Sequence, residues 1–383
     1  MKKRLLAVVG TRPEVIKLAP VIHELRTRTA GAEVVLCATG QHRQMLDQTL
    51  AAFDLRPDLD LDLMQAGQHP SDLFARLLLA LRPLLEELRP DVLIVQGDTT
   101  TVAAAALAGF LHGALVAHVE AGLRTGDKRA PFPEEVNRRL AGVVADLHFA
   151  PTARARDNLL AEGVPPDHIY LTGNTVVDAL RWVRARVADR PLPAELDPGP
   201  ARLILVTAHR RESFGQPFRD LCGALRDIAE RFDDVRLLYP VHLNPHVQRT
   251  AYEVLGGCPR VRLVEPVDYG TFVALLNRAY LVLTDSGGIQ EEAPALGKPV
   301  LVLREKTERP EALEAGVVRL VGTDRRRIVQ QAGALLSDRA AYAAMARPTQ
   351  LYGDGQAARR IAEVLVTGQM QTPPFTPVGS SRA

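Results

Sequence analysis

Short unbroken apolar runs, not alternating ones, punctuate the first half of the chain: RLLAVV at 4–9, VVLCA at 34–38, VLIV at 92–95 and LVAHV at 115–119. Runs of this length and β-branched content predict strands buried on both faces, as in a parallel sheet covered by helices. Between them, stretches 13–28, 72–88 and 101–112 carry a longer helical pattern, the last very rich in alanine. Such βα alternation predicts a doubly wound α/β fold. The pattern stops at RPLPAELDPGP (190–200), where four prolines and a glycine read as a linker. It then restarts with LILVT at 203–207, RLLYP at 236–240, VRLV at 261–264, LVLT at 281–284 and VLVL at 300–303. The expected architecture is therefore two Rossmann-like α/β domains, 1–185 and 200–354, facing each other across a cleft at their carboxyl strand ends. The tail from 369, with Pro373, Pro374 and Pro377, is expected to be disordered.

Composition narrows the classes. Hydrophobic residues make up 46% and charged residues 24%, enough for real cores and without the signature of disorder. Lys plus Arg is 47 against 45 for Asp plus Glu, and the net charge of +2 gives no general attraction to nucleic acid or anionic lipid. Cys37, Cys222 and Cys258 are widely separated and form no CxxC, which argues against a disulfide framework or a thiolate zinc site. The histidines are scattered without ligand spacing, so no metal is expected. The first apolar run is broken at once by Gly10, Arg12, Pro13 and Glu14, too soon for a signal-peptide core or a membrane span. A cytoplasmic enzyme with an internal site, and no membrane or nucleic-acid partner, is the expectation.

Candidate chemistry sits where strands end. GTRPEVIK after the first strand has only Gly10 where a dinucleotide fingerprint needs three glycines, which disfavours bound NAD. Arg12 and Lys17 stand instead at a helix start that already favours an anion; a plain capping turn with solvated charges explains them equally well. In QGDTTT, Asp98 ends a buried strand, and taken alone it is more simply an N-cap carboxylate. Glu120 follows LVAHV directly, and Glu134 and Glu135 open a helix, where a glutamate also suits the helix dipole. By topology Asp98, Glu120 and Glu134 converge on one cleft, and crowded carboxylates in a partly dry cleft become acids or bases. TAHRRESFG places His209, Arg210 and Arg211 just after a strand, a position for a proton donor or a phosphate ligand. In TDSGGIQEEAPALGKPVLVLREKTERPE, Ser286, Gly287 and Gly288 make a turn whose N–H groups can hold a diphosphate. Glu292 is placed to accept two ribose hydroxyls, and Arg309 can neutralise phosphate.

GTRPEVIKLAP, QGDTTT, HVEAGLRT, FPEEVNR, TAHRRESFG, PVHLNP and the long TDSGG…TERPE segment closely resemble the non-hydrolysing UDP-N-acetylglucosamine 2-epimerases, in that family's order and from residue 1 to about 368. The resemblance implies a two-domain glycosyltransferase-B-type fold in which a C-terminal helix, matched by 355–368, crosses back to the first domain. It also implies reversible inversion at C2 of UDP-GlcNAc to UDP-ManNAc, through elimination of UDP to 2-acetamidoglucal and re-addition, supplying ManNAc for cell-surface polysaccharide. By position, Asp98, Glu120, Glu134 and His209 fall on the family's catalytic groups. Arg12, Lys17, Ser286, Gly287, Gly288, Glu292 and Arg309 fall on its nucleotide-sugar contacts, and Phe272, otherwise a core residue, on its uracil neighbour. Gln41, His42, Gln44, Arg210 and His242 match a second, regulatory UDP-GlcNAc site of bacterial members. No cofactor is implied, and a homodimer is. The motifs depart from the family at Ala208, where threonine is common, and at Ser213, where asparagine is common. A glycosyltransferase of the same architecture, a hydrolysing epimerase and a non-catalytic UDP-GlcNAc sensor are the alternatives.

Overall fold

The computed structural model describes residues 2–28, 31–40, 43–63, 65, 68–188 and 190–378, with only the backbone of residues 28, 43–45 and 211. The chain divides into two units, Met1–Trp182 with Tyr352–Pro377, and Val183–Leu351 with Val378–Ala383. Among the described residues no helix is long and apolar enough to cross a membrane.

Unit 1 runs β1 (Lys3–Val9), α1 (Arg12–Arg28), β2 (Ala32–Ala38), α2 (Arg43–Ala52), β3 (Leu59–Asp60), α3 (Pro70–Leu88), β4 (Val92–Gln96), α4 (Thr100–Leu111), β5 (Leu115–Val119), α5 (Glu134–Val144), β6 (Leu147–Ala150), α6 (Ala153–Ala161), β7 (Ile169–Leu171) and α7 (Thr175–Val187). Its strands pair in parallel in the order β3-β2-β1-β4-β5-β6-β7. The continuous apolar strands are buried on both faces, as their lack of alternation predicts: Leu5 to Val9 and Val92 to Val95 are all 2% exposed or less. Alanine lets α4 lie close to the sheet, with Ala103 to Ala106 buried beneath it, while the Thr99 hydroxyl caps its first turn by accepting the Val102 N–H at 3.3 Å.

Unit 2 runs β8 (Arg202–Thr207), α8 (Gln216–Arg231), β9 (Val235–Pro240), α9 (Pro245–Leu255), β10 (Val261–Val264), α10 (Tyr269–Arg278), β11 (Leu281–Thr284), α11 (Ile289–Ala295), β12 (Val300–Val302), α12 (Pro310–Glu314), β13 (Val318–Leu320), α13 (Arg325–Ser337) and α14 (Arg339–Met345); α15 (Ala357–Thr367) then returns to unit 1. The strand order β10-β9-β8-β11-β12-β13, again all parallel, repeats that of the first six strands of unit 1. In each sheet the order reverses beside the first strand, between β1 and β4 and between β8 and β11. That is the place where the loops diverge and a ligand can enter.

Two expectations about the edges of the units change. The proline-rich stretch 190–200 is not the crossing point: the chain passes from unit 1 to unit 2 inside α7. The prolines instead form a turn on unit 2, where Leu196 is buried, its N–H donates to the Pro193 carbonyl, and Arg262 binds the Glu195 carbonyl. Residues 369–378 are packed, not disordered. Glu363 of α15 accepts the N–H groups of Gln371 and Thr372 at 3.0 and 2.7 Å, and the Thr372 hydroxyl at 2.8 Å. Phe375 is 1% exposed and donates its N–H to the Leu171 carbonyl at 2.9 Å. One glutamate and one buried ring outweigh the proline-rich composition; residues 379–383 lie outside the described part.

The return of α15 is held to unit 1 by specific bonds. Asp178 of α7 accepts the Ala358 N–H at 3.0 Å, and Arg360 binds Asp354 while donating to the carbonyls of Thr172 and Pro373. Replacing Phe375 by Ala empties a filled site and is expected to cost about 3–5 kcal/mol. A lowered thermal midpoint checks this; an unchanged midpoint would mean that the tail is a passive cover.

Candidate active site

At the switch point of unit 1 the turn after β1 is closed by its own helix. Glu14, 1% exposed, accepts the N–H groups of Gly10 and Thr11, at 2.7 and 2.5 Å, and the Thr99 hydroxyl at 2.5 Å. Burial pushes its carboxyl up, and these donors oppose the shift. A side chain at Gly10 would lie 2.4 Å from the Thr101 hydroxyl and 2.7 Å from that of Thr39, so the close approach of α4 needs glycine there. The Gly10 and Thr11 N–H groups at the α1 entry are thus already engaged. What Arg12 and Lys17 offer is side-chain charge.

Lys17 reaches Glu120, and both are buried, at 7% and 8% exposure. The same glutamate Oε2 accepts from Gln96 and Asn174, each at 3.1 Å. Glu120 also has φ of +65°, a left-handed backbone that costs a non-glycine residue roughly 1–3 kcal/mol and must be held by its surroundings. Lysine, glutamine and asparagine, from α1, β4 and the loop before α7, do the holding. Asp98 pairs with Arg138 of α5, which also meets Glu135 at 3.3 Å and is 3% exposed. The two adjacent glutamates of α5 separate in role: Glu135 is fully buried and takes the Thr125 and Gly126 N–H groups, whereas Glu134 is half-buried at the helix start.

Behind these acids stand two buried histidines on neighbouring strands, His118 and His148, in register. The His118 Nε2 lies 2.8 Å from the carbonyl of Gly97, one residue before Asp98. Burial drives the pKa of His118 down to about 3 and that of His148 to about 4.

In unit 2 the loops after β8 and β11 meet. The Thr207 and Thr284 hydroxyls are 2.6 Å apart, and Asp285, 1% exposed, accepts the N–H groups of His209 and Arg210 at 2.6 and 2.7 Å. Its other oxygen is 3.3 Å from His209 Nδ1, and the His209 ring stacks on His242 at 5.1 Å between centroids. The Ser286–Gly288 turn follows, and among the described residues no backbone carbonyl engages the N–H of Gly287 or Gly288. A side chain at Gly287 would meet the Arg309 guanidinium at 2.5 Å. Arg309 itself is 4% exposed and lies under the turn between Glu291 and Glu308, so its charge supports the turn as well as any anion above it. Glu292 accepts the Tyr269 hydroxyl at 2.6 Å, and Phe272 is buried on the same helix as Tyr269.

Most of the sequence-predicted residues have a place in the two units. Asp98, Glu120 and Glu134 lie at the carboxyl edge of the unit 1 sheet, joined there by Arg12 and Lys17. His209, Ser286, Gly287, Gly288, Glu292 and Arg309 lie at that of unit 2, with Arg210 and His242 beside His209. Gln41 and His42 lie outside the described residues, and Gln44 opens α2 without a described side chain. Sequence reasoning missed Gln96, Arg138, Asn174, Tyr269 and Asp285, which hold these residues, and Glu14, which closes the turn before Arg12. Asp285 adjoins the glycine turn and Arg138 the FPEE motif, but nothing in either segment marks its partner.

The chain matches the family model described as UDP-N-acetylglucosamine 2-epimerase over residues 23–366. It is 52% identical over 374 residues to a UDP-N-acetylglucosamine 2-epimerase of Yersinia pestis, covering 96% of this chain and 99% of that one. Among solved structures it is similar to the UDP-GlcNAc 2-epimerase of Neisseria meningitidis bound to UDP-GlcNAc, with a TM-score of 0.91 and 41% identity over 94% of this chain and 99% of that one. It is also similar to the Methanocaldococcus jannaschii UDP-GlcNAc 2-epimerase in complex with UDP-GlcNAc and UDP, with a TM-score of 0.84 and 30% identity over 94% and 99% of the two chains. The expected pair of Rossmann-like α/β domains is borne out.

The buried histidines generate a stability prediction. Their folded pKa values lie below the unfolded value of about 6.5, so unfolding takes up protons and stability falls as pH drops below that value. Glu14, with its raised pKa, works in the opposite sense. A His118→Asn variant should have an acid limb shallower than the parent's by up to about 1.4 kcal/mol per pH unit between pH 6 and 4. Chemical unfolding across that range checks it, and parallel curves would mean that His118 titrates alike folded and unfolded.

Proposed function

Because the chain belongs to the UDP-N-acetylglucosamine 2-epimerase family, we propose that it interconverts UDP-GlcNAc and UDP-ManNAc in the cytoplasm, feeding ManNAc into cell-surface polysaccharide. The C2 proton is not adjacent to a carbonyl, so simple deprotonation is unfavourable. Elimination solves this: a base removes the C2 proton as the C1–O bond breaks, the electron pair forms the C1=C2 bond of 2-acetamidoglucal, and UDP departs with the bonding pair of oxygen. In the return step a diphosphate oxygen attacks C1 and a proton reaches C2 from the opposite face. One base and one acid are needed on opposite faces, with groups to hold the leaving diphosphate.

The single observation that carries the reading is Glu120. A strained backbone, a buried lysine and two amide donors hold one carboxylate at a sheet edge, an arrangement whose cost fits a pre-organised site. Asp98 and Glu134 are the further proton-transfer groups, and His209 is a proton donor or phosphate ligand. In unit 2 the Ser286–Gly288 turn takes the diphosphate and Glu292, aimed by Tyr269, the ribose. Arg12, Lys17 and Arg309 supply positive charge, and Phe272 lies beside the uracil. Arg210 and His242, with Gln41, His42 and Gln44, are assigned to a second, regulatory UDP-GlcNAc. A transferase of this architecture needs one base and an acceptor, not three acids with a histidine.

Proton NMR of UDP-GlcNAc incubated with the protein in deuterated water tests the reaction. UDP-ManNAc carrying deuterium at C2 is the expected product. UDP with free ManNAc would turn the reading to the hydrolysing reaction, and bound but unchanged UDP-GlcNAc to a transferase or a sensor. Glu120→Gln, which keeps shape and removes basicity, should lower kcat at least about a hundredfold, the low end for a general acid or base, with UDP affinity by calorimetry within a few-fold of the parent. Unchanged turnover would remove Glu120 from the mechanism.

The assembly implied by the family is a homodimer, and unit 1 carries a surface suited to it. Val136, Leu140 and Val143 form an exposed stripe on α5, and the neighbouring α4 ends in exposed Phe110 and Leu111. Contiguous exposed apolar surface of this kind marks association between chains. Val143→Asp, at a residue 83% exposed, should leave the fold intact and shift the protein to a monomer in sedimentation. A dimer of unchanged strength would place the interface elsewhere.

A further inference from the structure

We propose that Asp285 is a positioning residue for His209: it fixes the imidazole as the Nδ1–H tautomer and presents Nε2 to the reacting substrate. The inference rests on the reading that His209 takes part in the reaction, and it goes beyond that reading by naming the group that makes the histidine competent.

Three observations converge. Asp285 is almost fully buried, and one of its oxygens is locked by the backbone N–H groups of His209 and Arg210 at 2.6 and 2.7 Å. The carboxylate is thereby fixed to the same backbone that carries the histidine, so the two move as one piece. The remaining oxygen, buried and without a hydrogen bond of its own, faces Nδ1 of that histidine at 3.3 Å, a separation that a small rotation of the ring closes to a hydrogen bond. His242 lies nearly parallel to the imidazole, with 7° between planes, and limits that rotation. A carboxylate only accepts, so the Nδ1 it faces must carry the proton, and in the neutral ring Nε2 is left with the lone pair; a proton taken up there makes the imidazolium, held by Asp285, whose Nε2–H is the one that can be donated to the substrate or its phosphate. His209 is 38% exposed in its side chain, and with the Nδ1 edge against Asp285, the edge left open is that of Nε2.

The same logic separates this carboxylate from the proton-transfer acids of unit 1. Asp285 neither touches the substrate nor exchanges a proton. It sets which nitrogen is available and where it points. An Asp→Asn change keeps the size and, through its carbonyl oxygen, the acceptor for the two N–H groups. It also turns an N–H towards Nδ1, which favours the wrong tautomer with the fold unchanged.

The test combines kinetics with spectroscopy on the full chain. Nitrogen-15 NMR of histidine-labelled protein at about pH 8.5, above the ordinary histidine range, is expected to show His209 protonated on Nδ1, its signal assigned by its loss in His209→Gln. In Asp285→Asn the proton should move to Nε2, and kcat should fall at least about a hundredfold with KM changed less than about threefold. An Nε2–H tautomer in the unaltered protein overturns the proposal, and needs no variant to fold. So does full kcat in Asp285→Asn while His209→Gln is inactive. Full activity of His209→Gln removes instead the reading on which the proposal rests, a distinct outcome.

Discussion

Both sheets carry a related device at their point of reversal: a buried carboxylate that ties the loop after the first strand to the loop after the fourth. In unit 1 it is Glu14, on the helix after the first strand, which takes the N–H groups of Gly10 and Thr11 and the hydroxyl of Thr99 after the fourth. In unit 2 it is Asp285, after the fourth strand, which takes the N–H groups of His209 and Arg210 after the first. Parallel strands end together and release their loops on one edge, and without a tie across β1/β4 or β8/β11 those loops would be free to splay. A charged acceptor is strong enough for this, since a bond to an ionised group contributes about twice that of a neutral one. The same two ties also occupy donors that an incoming anion could otherwise use.

Around these ties nearly every site charge has a fixed partner. Lys17 meets Glu120, Arg138 joins Asp98 to Glu135, and Arg309 lies between Glu291 and Glu308. Buried charges need such partners, because a lone one in a poorly hydrated site is prohibitively costly. The pairing also has a catalytic sense. A group held by two or three bonds does not have to reorganise as charge develops on the substrate, and that pre-organisation is the larger part of electrostatic catalysis. Arg309 illustrates the limit of assigning such residues by charge alone. Flanked by two carboxylates and wedged beneath Gly287, it shapes the turn itself, so its removal acts on the turn before it acts on any bound anion.

The parallel sheets and most helices were legible because burial on both faces leaves an unmistakable imprint of continuous apolar runs. The ends of strands carried the candidate acids for the same reason: side chains placed there by topology need no knowledge of packing. What the chain did not reveal is whatever depends on a partner distant in sequence. Asn174 is 54 residues from Glu120 and Asp285 is 76 from His209, and neither stands in a pattern that names the other. Composition misled in two places. Prolines at 190–200 suggested a free linker and those at 373–377 a loose tail, yet Leu196 and Phe375 each bury a side chain that periodicity cannot expose in so short a segment.

The strained Glu120 carries a constraint that shared architecture does not explain. A nucleotide-binding fold has no need of a non-glycine residue in the left-handed region at the end of a central strand; any strand-to-loop turn is made more cheaply with glycine. Strain of that kind persists only where surroundings hold it, and here a lysine and two amides from three separate elements converge on one oxygen. Their common effect is to fix one carboxylate atom in space, which is the condition that proton transfer at a single face of any ring imposes.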